Sequence, residues 1–265
     1  MPFGLILVGD EILSGKRTDK HLPKVIELLG ARGLALAWAR LVGDERERIT
    51  AALRDAFAGS DIVFCCGGIG ATPDDHTRQC AAAALGQPLM LHPEARALIE
   101  QRMKDIAAER GEPYDADAPD NVHRLNMGVF PAGAAIVPNP YNRIPGFSVG
   151  DVHFLPGFPV RAWPMIEWLL DTRYAALQGR GGRPAEKSVV VFGSMEATLT
   201  PLMEAIEAAH PGVRVFSLPS VDHPQWGRHI ELGVKGEPGT LDAAYAALLD
   251  GLRGHGVRLG PELVR

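Results

Sequence analysis

Cys66-Gly67-Gly68-Ile69-Gly70-Ala71-Thr72-Pro73-Asp74-Asp75-His76-Thr77 is the stretch that decides how this chain reads. The apolar run Ile62-Val63-Phe64-Cys65-Cys66 leads into it, with the length and β-branched content of a buried strand. Three glycines then permit a sharp turn and bring backbone N–H groups within reach of a ligand. Thr72 follows as a predicted N-cap, with Pro73 at N1 and Asp75 at N3 of a capping box. Strand, glycine loop and helix N-terminus in that order offer free N–H groups and a positive dipole end to an anion. The adjacent carboxylates Asp74 and Asp75 suit a Mg²⁺-type ion instead, or as well. The same residues also suit a plain strand-to-helix turn, because Asp in a first turn caps. The local pattern leaves both readings open. Two common phosphate loops are excluded. No Gly-Lys-Ser/Thr follows, and Pro73 stands where the third glycine of the dinucleotide fingerprint would fall.

Working outward, Phe3 to Val8 reads as a first buried strand ending in Gly9-Asp10-Glu11-Ile12-Leu13-Ser14-Gly15. In a parallel sheet ligands gather outside the carboxyl ends of strands, which puts Asp10 and Glu11 near the glycine loop if the two strands are neighbours. As loop carboxylates they could equally cap or stay solvated. Asp19 to Ala31 has apolar residues at helical spacing, Leu34 to Val42 reads as a strand, and Asp44 with Glu47 forms a second predicted capping box. The alternation of strand and helix implies parallel pairing and an α/β fold. A helix continues from Cys80 to Leu85, another runs from Pro93 to Arg110, and Asn121 to Asn126 is a short one. Ala134–Val137 and Val152–Leu155 are strands leading into the Pro/Gly-rich stretches that begin at Pro138 and Pro156. Both stretches would wall the same crevice. A helix from Val160 to about Tyr174 follows.

The 265 residues carry a net charge of −5 with the two signs interspersed, which argues against a nucleic-acid binder working through a basic face. Cys65, Cys66 and Cys80 form neither a metal-ligand spacing nor a disulfide framework, so reduced thiols in a cytoplasmic protein are expected. No apolar run approaches the roughly 20 residues of a membrane span, and no charged leader precedes the first strand. Gln178 to Ala185 is rich in glycine and reads as a linker. The expected domains are therefore 1–177, a linker at 178–186, and a small α/β domain at 187–265. The latter has strands at Ser188–Phe192, Val213–Leu218 and His229–Val234 in a mixed sheet, with helices at Glu196–His210 and Leu241–Arg253. His210, His223, His229 and His255 are scattered singly and read as surface or turn residues.

Five motifs fall in the order and spacing of one family: Gly9-Asp10-Glu11-Ile12-Leu13-Ser14-Gly15, Val42-Gly43-Asp44, the Gly67–Thr77 loop, Pro138-Asn139-Pro140 and Pro156-Gly157-Phe158-Pro159. Over roughly residues 3–172 the sequence resembles the molybdopterin-binding (MoaB/Mog-like) domain. Within that family it is most similar to the N-terminal part of CinA-type competence/damage-inducible proteins. The chain stops before any amidase domain of that group, so deamidation is not implied. The resemblance implies a three-layer α/β/α sandwich with a mostly parallel sheet. It implies binding of molybdopterin or a related phosphorylated pterin or nucleotide. The alternatives are a divalent-metal-dependent pyrophosphatase acting on ADP-ribose or FAD, and a non-catalytic interaction protein. Carried over by position, Gly67, Gly68, Gly70, Thr72, Thr77, Asp10, Glu11, Gly15, Asn139, Pro140 and Gly157 would bind ligand. Asp75 and Asp74 would be catalytic, and Asp74, Asp75 and Asp10 would hold Mg²⁺ or another divalent cation. Asp44 also matches, but its cap role suffices for it. A homodimer or homotrimer is implied, with neither nucleic acid nor membrane as partner. Ala71, Asn142, Ile144 and Arg161 depart from the family pattern, which usually has Pro, Gly, Ala and an acid there. Ala71 loosens the loop. Arg161 exchanges a carboxylate for a cation, favouring an anionic ligand over a metal.

Overall fold

A computed structural model describes residues 1–179 and 185–264. Its contacts divide the chain into two compact units, residues 1–181 and 182–265. Residues 180–184 of the expected linker lie outside the described residues. At its described ends, Gly179 N donates to Arg32 O within the first unit, and Ala185 already belongs to a strand.

The first unit opens with β1 (Phe3–Val8), whose six residues are all buried. Then come α1 (Asp10–Leu13), α2 (His21–Gly30), β2 (Leu36–Val42), α3 (Arg46–Ala58), β3 (Ile62–Cys66) and α4 (Thr77–Leu85). A small antiparallel pair, β4 (Leu89–Leu91) and β5 (Val129–Pro131), brackets α5 (Pro93–Arg110) and α6 (Pro119–Leu125). β6 (Ala135–Val137), β7 (Gly146–Val149), β8 (Val152–Leu155) and α7 (Pro159–Thr172) complete it.

The main sheet has the order β2-β1-β3-β8-β7-β6. β2, β1, β3 and β8 run parallel, while β7 is antiparallel to both β8 and β6. β6 therefore runs with the parallel set, and its carboxyl end opens on the same side as theirs. Residues that alternate along a strand feed opposite faces. Leu5, Leu7, Phe64 and Cys66 pack with α2 and α7. Ile6, Val8, Val63 and Cys65 pack against α3, Cys80 and Ala81 of α4, and Ala95 of α5. Both faces of the sheet are thus covered, which is why its central strands are apolar throughout.

Two predicted helix starts are displaced. α4 begins at Thr77, not Thr72, and α3 is capped by Glu45 rather than Asp44. The strand β7 is not expected from the sequence, because its four residues follow directly on Pro145 and begin with Gly146.

In the second unit, β9 (Ala185–Phe192), β10 (Arg214–His223), β11 (Gly227–Gly236) and β12 (Arg258–Val264) form a sheet of order β10-β11-β9-β12. α8 (Glu196–Ala209) and α9 (Pro238–Gly254) supply Leu199, Ile206, Leu241 and Leu248 to its core. Every pairing in this sheet is antiparallel, which corrects the expected mixed sheet. His229 is not a surface residue. It is buried, with Nδ1 bonded to Gly227 O at 2.8 Å.

Candidate functional site

β3 delivers the chain to Gly67 and Gly68, at φ +112° and +67°, conformations that L side chains rarely adopt. Crowding also demands glycine here. A Cβ on Gly67 would stand 2.2 Å from Val8 O, and one on Gly68 2.2 Å from Thr77 Oγ. The carbonyls of the loop are then taken one by one. Thr77 Oγ donates to Gly67 O and Thr77 N to Gly68 O, each at 2.9 Å. Arg78 Nη2 donates to Gly70 O at 2.5 Å, and His123 Nε2 to Ala71 O at 2.8 Å. The amides of Gly68, Ile69, Gly70 and Ala71 donate to no protein acceptor among the described residues. A row of unpaired amides with most of its carbonyls anchored behind it has the donors an anion would need.

Only half of the predicted capping box forms, the bond from Thr72 N to the Asp75 carboxylate, and it closes a turn rather than starting a helix. Thr72 N and Oγ both donate to Asp75 Oδ2, at 2.8 and 2.5 Å, and Asp75 N donates to Thr72 O at 3.0 Å. A Cβ on Gly70 would stand 2.5 Å from that same carboxylate oxygen. His123 restrains the loop where proline is lacking at Ala71.

These groups open into a cavity of about 510 Å³ at the carboxyl ends of β1, β3 and β8, within the range of small-molecule sites. Of the expected residues, Gly67, Gly68, Gly70, Thr72, Glu11, Asp74, Asp75, Asn139 and Gly157 line it. Thr77, Gly15, Pro140 and Asp10 do not. Thr77 is fully buried and holds the loop from behind. Gly15 turns the chain after α1 at φ +72°, and Pro140 is exposed. Asp10 lines a neighbouring groove with Arg40 and Glu45.

Asp10 and Asp44 instead tie β1 to the turn after β2. Asp10 N donates to Asp44 Oδ2 at 2.9 Å and Asp44 N to Asp10 Oδ1 at 3.1 Å. This, not a helix cap, is the role of Asp44. A Cβ on Gly43 would lie 2.5 Å from Asp10 Oδ1, so the intervening glycine belongs to the same arrangement. Burial raises the Asp44 carboxyl above the ordinary aspartate value. Its bond from Asp10 N lowers it, and the charges of Asp10, Glu11 and Asp74 raise it further. Among the described residues no group of three or more His, Cys, Asp or Glu could hold a metal ion. The proposed trio fits poorly: Asp10 faces a different groove, and one oxygen of Asp75 is committed to Thr72.

Several lining residues carried no local signal in the sequence. Met127 arrives from the segment after α6 and Arg17 from the segment after α1. Asn142 and Ile144 line the wall in a loop that holds itself together. Asn139 Nδ2 donates to Ile144 O, while Tyr141 N and Ile144 N donate to Asn139 Oδ1 and Asn142 Oδ1. Arg78 is only 4% exposed, and its second guanidinium nitrogen bonds Asn126 O. Burial lowers its pKa, which the nearby Asp75 charge partly restores. An arginine after Thr77 is legible as a helix residue, but its reach back to Gly70 is not.

The fold and site define an α/β/α domain with an amide-rich glycine loop at the carboxyl edge of its sheet. Residues 4–176 match the family model described as "Probable molybdopterin binding domain", and the chain belongs to that family. It is 33% identical over 223 residues to a CinA-like protein of Anaeromyxobacter dehalogenans, covering 81% of this chain and 51% of that one. It thus spans about half the length of such curated relatives. A protein of Pyrobaculum calidifontis is 30% identical over 258 residues, covering 93% of this chain and 94% of that one. The crystal structure of CinA from Thermoplasma acidophilum, described as of unknown function, aligns with a TM-score of 0.53 and 28% identity. That alignment covers 64% of this chain and 96% of the other. Among the described residues no helix is long and apolar enough to cross a membrane.

Proposed function

We propose that this protein binds molybdopterin or a closely related phosphorylated pterin or nucleotide, with the phosphate seated on the Gly68–Ala71 amides. The observation that carries this is the row of four unpaired amides, Gly68–Ala71, with the carbonyls of Gly68, Gly70 and Ala71 anchored behind it. Buried Arg78 adds positive charge behind the loop. Glu11, Asp44 and Asp74 line the same cavity as acceptors suited to the amino and ring N–H groups of a pterin. Membership of the molybdopterin-binding family supports the ligand class.

The pyrophosphatase reading requires Asp10, Asp74 and Asp75 around one divalent ion. Asp10 turns to Asp44 and Asp75 to Thr72, which favours binding over metal-assisted turnover. Asp75 serves in this account as a loop-holding residue. Self-association as a dimer or trimer is part of the proposal, and sedimentation equilibrium tests it.

Isothermal titration with molybdopterin, ADP-ribose, FAD and inorganic phosphate tests the central reading. Saturable binding of at least one organic ligand is expected, weakened at least about tenfold in Gly70→Ala, whose Cβ would displace Asp75. Binding that is indifferent to Gly70→Ala, or no binding at all, contradicts it.

A further inference from the structure

The loop amides do not account for all the positive charge in this cavity. Arg17 and Arg161 line it beside Phe158. Their guanidinium carbons lie 5.8 and 4.9 Å from the centroid of the same Phe158 ring, and that residue is 51% exposed. Stacking on a ring orients a guanidinium while leaving its N–H edge free to donate. Among the described residues neither guanidinium enters an ion pair or a hydrogen bond. Arg32, Arg143 and Arg173 of the same unit, by contrast, are tied to Asp171, Asp105 and Asp151.

Two unpaired cations on one ring repel each other. An anion held by both removes that repulsion and accepts several charge-assisted hydrogen bonds. The lining also bears Glu11, Asp44, Asp74 and Asp75, which repel a ligand anion, the Asp75 carboxylate being held by Thr72 beside the loop. Negative groups are therefore accommodated in two places, the amide row and the arginine pair.

We infer that Arg17 and Arg161, held on Phe158, form a second anion subsite, so that the cavity selects small molecules with two separated anionic groups. One group sits on the Gly68–Ala71 amides and the other on the arginine pair. The inference rests on the amide-loop reading above and adds the specificity determinant to it.

The test follows backbone amides and arginine Nε–Hε groups by NMR while the full chain is titrated with inorganic phosphate at constant ionic strength. The expected result is saturable shifts at Gly68–Ala71 and at both arginines. In Arg161→Glu the Arg17 response is lost and the amide response stays. Arg161→Met separates loss of a cation from gain of an acid. A series of alkane bisphosphonates against the matching monophosphonates then reads the selectivity. The best-spanning bisphosphonate should bind wild type at least tenfold tighter than its monophosphonate, and within about twofold of it in Arg161→Met. Amide shifts without arginine shifts overturn the inference while sparing the loop reading. A bisphosphonate advantage that survives in Arg161→Met overturns it too. Arginine shifts without amide shifts overturn the loop reading and with it the two-group ligand.

Discussion

Gly68→Ala probes the loop most sharply. Gly68 sits at φ +67°, and its added Cβ would lie 2.2 Å from Thr77 Oγ and 3.2 Å from Thr77 Cβ. The left-handed backbone alone costs alanine about 1–2 kcal/mol. The larger effect is on Thr77, which is fully buried and donates to Gly67 O at 2.9 Å. Displacing that hydroxyl leaves a carbonyl unpaired at roughly 1–3 kcal/mol. The expected total is about 2–5 kcal/mol, read from urea unfolding of the purified protein. A double-mutant cycle isolates the steric part. In a Thr77→Ala background the hydroxyl is already gone, so Gly68→Ala should cost less, the backbone share of about 1–2 kcal/mol together with the milder 3.2 Å contact to the Cβ of residue 77. Equal costs in the two backgrounds would refute the placement of Thr77 behind the loop.

Asp44, raised chiefly by burial and then by its acidic neighbours, takes up a proton in a window above the ordinary aspartate value of 3.8. Its charged form is disfavoured on folding, so it adds stability as pH falls into that window. Phosphate affinity should rise there as well, and Asp44→Asn should bind phosphate about 3–10-fold tighter at pH 7, with a weaker pH dependence by titration calorimetry. His153 is fully buried, between Ser148 Oγ and the Tyr174 hydroxyl, each at 2.6 Å. Burial, aided by Arg173, depresses its pKa from 6.5 to about 3. The folded state therefore binds its proton less well than the unfolded chain. This contribution is fully present above pH 6.5 and is lost as pH falls toward 3, by about 2 kcal/mol at pH 5. His153→Gln should flatten that slope in denaturant titrations at pH 7 and pH 5. Asp75→Ala should remove the two bonds to Thr72, costing about 1–2 kcal/mol of stability and weakening ligand binding. Were Asp75 instead a catalytic base, Asp75→Ala would abolish turnover with ligand affinity intact.

The first unit was legible where apolar runs and glycines state their purpose. β1 and β3 are fully buried strands flanked by turns, so period and punctuation alone place them. Gly67 and Gly68 announce the loop because few other residues tolerate its backbone. What failed was the assignment of polar residues to single roles. Thr72 N does bond the Asp75 carboxylate, but Thr72 Oγ donates to that carboxylate instead of accepting from Asp75 N, and the helix begins only at Thr77, where Thr77 and Arg78 hold the loop's carbonyls. Asp44 looked like a cap because Glu47 stands three residues on. Its actual partner, Asp10, is 34 residues away and invisible to local reading. β12 was missed because Gly260-Pro261 interrupts it. As an edge strand with a register shift between Leu259 and Glu262, it tolerates the proline. Arg17 and Arg161 converge on Phe158 only after α1 and α7 are folded, so their pairing has no sequence signature.

The central claim is that a ligand phosphate sits on the Gly68–Ala71 amides. A crystal structure with bound molybdopterin tests it most directly. The account predicts the ligand's phosphate oxygens about 2.7–3.2 Å from those amide nitrogens, with the pterin turned toward Glu11, Asp44 and Asp74. A phosphate bound elsewhere in the cavity, with these amides facing only solvent, would contradict it.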